Sequence, residues 1–203
     1  MTSRPYKSAV REEASGRTRA RIVAAAHRIL GSLRGGRDFS LDAAARAAGV
    51  TRLTVYNQFG SRRALLEAVF DDCAKRGGLH RIAEAMADPE PHSSLRRIIA
   101  IFCDFWDSDT GTLAWLHAAG TGDAEFEDSL HERNERRRHL LTVLVRRMRA
   151  GKGAGQAKDL VDTLFALTSL RFFADLATGG RSKSDVCTII QMMASDAMKR
   201  VLG

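Results

Sequence analysis

The sequence predicts an all-helical fold of about nine helices. Three observations predict it. Apolar residues recur at three- and four-residue steps along most of the 203-residue chain. No alternating apolar/polar run or Asn-Gly hairpin signal is present to suggest a strand. Alanine, leucine and arginine are abundant and prolines number only 3, which favours helix.

The elements follow in order. Residues 1–16 are polar and unpatterned and read as a flexible basic arm. From Arg17, Ile22, Ala25, Ala26, Ile29, Leu30 and Leu33 mark a helix that Gly35-Gly36 would stop. Ser40 is the expected N-cap of a short helix, Leu41–Ala48, closed at Gly49. In it Ala43, Ala44, Ala47 and Ala48 would allow close packing, and Val50 would fill the gap beyond the turn. Thr51 would cap a second short helix that ends near Phe59-Gly60. Ser61 would cap a longer one running to about Arg76. Turn signals at Asp88–Pro91, Gly120–Gly122, Gly151–Gly155 and Gly179-Gly180 then separate helices near 92–107, 110–119, 123–150, 156–178 and 183–202.

Charge is distributed unevenly. Residues 1–76 hold 15 Lys/Arg against 7 Asp/Glu, and residues 77–203 hold 17 of each, so the net charge of +8 belongs to the first third. A basic module of this kind suits an anionic polymer. Cys73, Cys103 and Cys187 are far apart and lack CxxC spacing. They read as free thiols of a reducing, cytoplasmic compartment. No secretory signal and no apolar run of membrane-spanning length is recognised.

Two short helices joined by a tight glycine turn behind a longer helix are the parts of a helix-turn-helix. The second, Thr51–Gln58, has the chemistry of a reading helix. Arg52 can fork onto guanine or phosphate, Thr51 and Thr54 can meet base edges or a thymine methyl, and Asn57 and Gln58 can pair with adenine edges. The Tyr56 hydroxyl can reach a phosphate. Ser61 and Arg62 open a helix whose free N–H groups favour an anion. Leu53 either touches DNA or packs inward.

Residues 17–76 resemble the tetracycline-repressor (TetR) family of bacterial regulators. The resemblance is carried by the ungapped string from Ser40 to Leu66, above all the Ala-Gly-Val turn, Thr54-Val-Tyr-x-x-Phe59 and Gly60-Ser-x-x-Ala-Leu65. It implies a three-helix DNA-binding domain (17–76) on a helical ligand-binding and dimerisation body (77–203). It also implies that Thr51, Arg52 and Thr54 face bases, Tyr56 and Ser40 face phosphates, and Phe59 is core. Asn57-Gln58 stands where the family often has histidine, Arg62 where it often has lysine, and Leu53 where a small residue or proline is frequent.

The body is read from its residues. Helices 156–178 and 183–202 are apolar enough to pack against a second copy, giving a homodimer. On the latter, Val186, Ile189, Ile190, Met193, Ala197 and Val201 share a face, with Met192 and Met198 outside it. Asn134 and Arg137 interrupt the apolar stripe of helix 123–150, and a buried polar group needs a partner. The candidate ligand-binding residues are Phe102, Trp106, Trp115, Asn134, Arg137, Thr168 and Phe172. Glu127, His131, Glu135 and His139 fall at four-residue steps but lie away from the apolar face. They read as a solvated stripe, not a metal site. No cofactor is expected, and no P-loop, GxSxG or HExxH motif suggests an enzyme. The expected function is a homodimeric regulator, a repressor released from its double-stranded operator by a small-molecule effector. The alternatives are a ligand-independent accessory DNA-binding protein and a helical enzyme.

Overall fold

The protein is described here by a computed structural model covering residues 5–32, 39–120, 123–148 and 155–202. Among these residues it contains eleven α-helices and one 3₁₀ turn, Leu79–Arg81. They are α1 (Pro5–Ser32), α2 (Leu41–Ala48), α3 (Arg52–Phe59), α4 (Arg62–Arg76), α5 (Ile82–Ala87), α6 (Pro91–Ser108), α7 (Thr110–Gly120), α8 (Ala124–Met148), α9 (Gly155–Leu167), α10 (Leu170–Ala177) and α11 (Lys183–Leu202). The expected breaks at Gly35-Gly36, Gly122 and Gly151–Ala154 lie outside the described residues.

Two elements raise the count above nine. Helix α5 is too short to show an apolar period. The expected helix 156–178 is broken at Thr168-Ser169, where Ser169 takes an extended conformation (φ −81°, ψ 154°) and its hydroxyl accepts the Phe172 N–H at 3.2 Å. A serine that caps a new helix competes with continuation of the old one. Helix α1 also starts earlier than its apolar period. Residues 5–16, expected to belong to a flexible arm, are helical, and an exposed Glu13–Arg17 pair at i, i+4 supports that stretch.

The chain forms two compact units. The first comprises Met1–Asp72 with Ala114–Glu127, and the second Cys73–Leu113 with Asp128–Gly203. In the first, α1 packs on α2 and α3, and α2 on α3. Its core holds Ile22, Ala25, Ala26, Leu30, Val55, Phe59, Leu65, Leu66 and Val69, with Trp115, Leu116 and Phe126 also buried. Ala44, Ala45 and Ala48 are the buried alanines of α2. Ala47, expected to pack, is exposed, and Ala43 and Val50 are half-buried. The inner face of α2 is thus rotated by one residue from the sequence expectation.

In the second unit α11 packs on α6, α9 and α10, and α5 on α6. Leu95, Ile98, Ile99, Phe102, Phe105 and Trp106 of α6 are buried as their spacing predicts. Helix α11 departs from its predicted face. Val186, Ile190, Ala194 and Met198 form the buried row at four-residue steps, whereas Met193 is 41% and Met192 59% exposed. Met198, expected outside, is therefore core. Among the described residues no helix is long and apolar enough to cross a membrane.

Candidate functional site

The helix-turn-helix is built by three caps and one left-handed glycine. The Ser40 hydroxyl accepts the Ala43 N–H at 3.1 Å, and Thr51 and Ser61 repeat the arrangement with Thr54 and Ala64, also at 3.1 Å. Each cap satisfies an otherwise orphaned donor and fixes where its helix begins. Between α2 and α3, Gly49 adopts φ 62°, ψ 40°, and its N–H and that of Val50 close onto the carbonyls of Arg46 and Ala45. A side chain at this backbone conformation is strained, so glycine is required here.

Helix α3 presents two opposite faces. Val55 and Phe59, one turn apart, are buried, while Arg52, Leu53, Tyr56 and Asn57 are exposed. Leu53 is 65% and Tyr56 57% exposed. The α-helical rotation explains this, because Leu53 lies about 200° from Val55 around the axis. The choice left open for Leu53 is thereby resolved against inward packing, and the burial of Val55 and Phe59 was the sequence signal that could have decided it. An apolar side chain exposed among polar ones on a reading face suits contact with a thymine methyl.

The other candidates fall into two groups. Thr51 and Thr54 stand at the start of α3 with their hydroxyls 2.9 Å apart, and Arg52 lies beside Asp42 at 3.3 Å while remaining largely exposed. Arg52 can exchange its exposed partner Asp42 for a ligand, whereas the Thr51 hydroxyl is already engaged in capping α3. Gln58 and Arg62 are instead engaged within the unit. The Gln58 amide donates to the Ser15 hydroxyl at 2.8 Å. The Gln58 backbone carbonyl accepts from Arg19 at 2.6 Å, and the Arg19 guanidinium lies 4.2 Å from the centre of the Phe59 ring. Arg62 is turned inward. It donates to the Phe39 carbonyl at 3.2 Å and to Asp123 at 3.1 Å, with the rings of Phe39 and Trp115 each 6.0 Å away. Motif position alone did not reveal that Arg62 has a carboxylate partner far along the chain.

The ligand-binding candidates also divide. Trp115 lies in the first unit, edge-on to Phe39 at 5.7 Å between ring centres, and its indole N–H is buried with no acceptor among the described residues. The second unit brings the others around the break between α9 and α10. Because Phe172 is capped by Ser169, the Thr168 carbonyl is released from helix pairing. It accepts the Trp106 indole N–H at 3.0 Å and the Arg137 guanidinium at 2.6 Å. Arg137 also donates to Asn134 at 3.3 Å and lies 4.1 Å from the Phe165 ring centre and 5.9 Å from that of Phe102. Phe172 is half-buried one turn beyond the break. Phe165 is a neighbour the sequence reading missed. Glu127, His131, Glu135 and His139 are all exposed.

Two of the three cysteines meet. The Cys103 thiol is hydrogen-bonded to Cys187, and that contact pushes the Cys103 thiol up and holds Cys187 below the usual range.

Two short helices turned about a left-handed glycine, with an exposed polar face opposite a buried one, define a helix-turn-helix DNA-binding protein. Residues 22–69 match the family described as "Bacterial regulatory proteins, tetR family". In fold the chain is similar to a protein from Mesorhizobium loti described as a TetR-family transcriptional regulator. The TM-score is 0.65 at 16% identity, covering 92% of this chain and 97% of that one. It is also similar to the TetR-like transcriptional regulator LfrR from Mycobacterium smegmatis, with a TM-score of 0.51 at 19% identity, covering 91% and 98%. No curated protein matches the chain by sequence. Residues 22–69 thus carry a DNA-binding region similar to that of the tetR family, and the chain shares the fold of these two regulators.

Proposed function

We propose that the protein is a homodimeric repressor that leaves its operator when a small molecule binds the helical body. The observation that carries the DNA-binding part is the exposed face of α3, with Arg52, Leu53, Tyr56 and Asn57 opposite the buried Val55 and Phe59. In this reading Ser40, Thr51, Arg52, Thr54, Tyr56, Asn57 and the N-terminal turn at Ser61 contact the duplex. Gln58 and Arg62 hold the unit's own packing. Residues 17–76 serve as the DNA-binding domain and 77–203 as the body.

Support for a dimer comes from α11, where the half-buried Ile189 and Ala197 and the exposed Met192 and Met193 leave an apolar shoulder beside its buried row. A second copy packed on that shoulder would form a helical bundle. Two DNA-binding domains would then read half-sites ~34–36 Å apart or at a multiple of that distance.

Selection of bound sequences from a random duplex pool tests the proposal. The expected product is a two-fold symmetric site whose affinity falls steeply with salt. An asymmetric single site, or binding indifferent to salt, would sink the proposal. Repeating the selection with and without cell extract small molecules tests release.

A further inference from the structure

We infer that the molecule recognised by the body is an anion, a carboxylate carried on an apolar frame, and that its acidic group docks on the guanidinium of Arg137. The inference rests on the effector-release reading above and adds the chemical class of the effector.

Arg137 is only 8% exposed. A guanidinium carries five N–H donors. Two hydrogen bonds from it are present, to the Thr168 carbonyl and the Asn134 side-chain oxygen, and both acceptors are neutral. Its Nε is buried with no acceptor among the described residues. Three other arginines of the second unit are treated differently. Arg138 pairs with Asp162 and Glu135, Arg81 with Asp104, and Arg97 with Glu84 and Asp88, although all three are more exposed. The most deeply buried of these four cations is the one without a carboxylate among the described residues.

The charge is not relieved by proton loss. Burial, reinforced by the nearby Arg138, pushes the Arg137 pKa down to about 10, so the side chain remains cationic at neutral pH. A buried, uncompensated charge is strongly unfavourable, and an apolar side chain of similar volume in its place is often neutral or stabilising. Packing alone therefore does not account for an arginine here, whereas an acidic ligand supplies the missing charge and the missing acceptors together. The rings of Phe165, Phe102 and Trp106 beside it suit an apolar frame on the same molecule.

The test uses the full-length protein at neutral pH and fixed ionic strength, with matched pairs of probes: benzoate against benzamide, and octanoate against octanamide. Thermal unfolding and calorimetry are read for the wild type, Arg137→Met and Arg137→Lys. The acids are expected to raise the wild-type Tm and to bind about 10- to 100-fold tighter than their amides. Arg137→Met should fold with an equal or higher Tm and lose the preference for acids, and Arg137→Lys should keep part of it. Equal responses to acid and amide, no response to either acid, or an acid preference that survives in Arg137→Met would each overturn the inference. Release of operator DNA from the wild type separates the two ideas. Acids that bind through Arg137 yet leave DNA bound defeat the effector reading alone. Neutral probes that release DNA while acids do not bind defeat the anion alone.

Discussion

Arg52 and Arg137 are the same side chain in opposite settings. Arg52 lies 70% exposed on α3, with Asp42 within 3.3 Å to share its charge. Arg137 is buried against aromatic rings, with neutral acceptors and no carboxylate beside it among the described residues. Water already solvates the first, so it can exchange its neighbour for a phosphate or a guanine edge at little cost. The second has lost its water, and whatever reaches it acts in a medium where charge counts for more. The difference teaches that an exposed arginine can change partners cheaply, whereas a buried one without a carboxylate gains most from a partner that brings the missing charge.

Substitutions in the DNA-binding unit sharpen this contrast, in decreasing order of effect. Phe59→Ala removes the buried ring behind the reading face and should destabilise the unit by about 3–5 kcal/mol, read by chemical denaturation. Arg52→Ala should leave stability within about 0.5 kcal/mol and relax preference at one base position by about 1–3 kcal/mol, read by competition between single-base operator variants. If Arg52→Ala weakens every sequence equally, Arg52 is a phosphate contact and the reading must move to Leu53 or Asn57. Thr51→Ala loses the cap of α3 and should cost about 1 kcal/mol of stability. Asp42→Asn removes a surface partner of Arg52. It should tighten DNA binding by no more than about 1 kcal/mol, most visibly at low salt. In the body, Cys187, half-buried and held below the usual thiol range, should be alkylated before the buried Cys73 and Cys103, read by mass spectrometry of timed samples.

How far the chain could be read in advance varies along its length for physical reasons. Ser40, Thr51, Ser61 and Gly49 are local devices, each acting within three or four residues, so sequence alone placed α2, α3 and the turn between them. The break before Leu170 also comes from a local cap, but no glycine or proline marks it and the apolar pattern continues through it. Helix α5 is shorter than two turns and offers no period to recognise. The inward turn of Arg62 and the gathering of Trp106, Arg137 and Thr168 depend on partners 31 to 62 residues apart. No window of sequence contains such pairs. Burial could be read from the stripe of α8, where Arg137 interrupts Leu130 and Leu141, but the lack of a carboxylate beside it could not.

The Thr168 carbonyl is a junction with two tenants. A carbonyl oxygen has two lone pairs, and here one holds an indole and the other a guanidinium. It has no capacity for a third donor, and weakening one bond alters the polarisation of the other. Trp106 is therefore coupled to Arg137 through one shared oxygen. The chain has 2 tryptophans, so with Trp115 replaced by phenylalanine the remaining emission would come from a single indole, whose colour should shift when the bonds at the Thr168 carbonyl change.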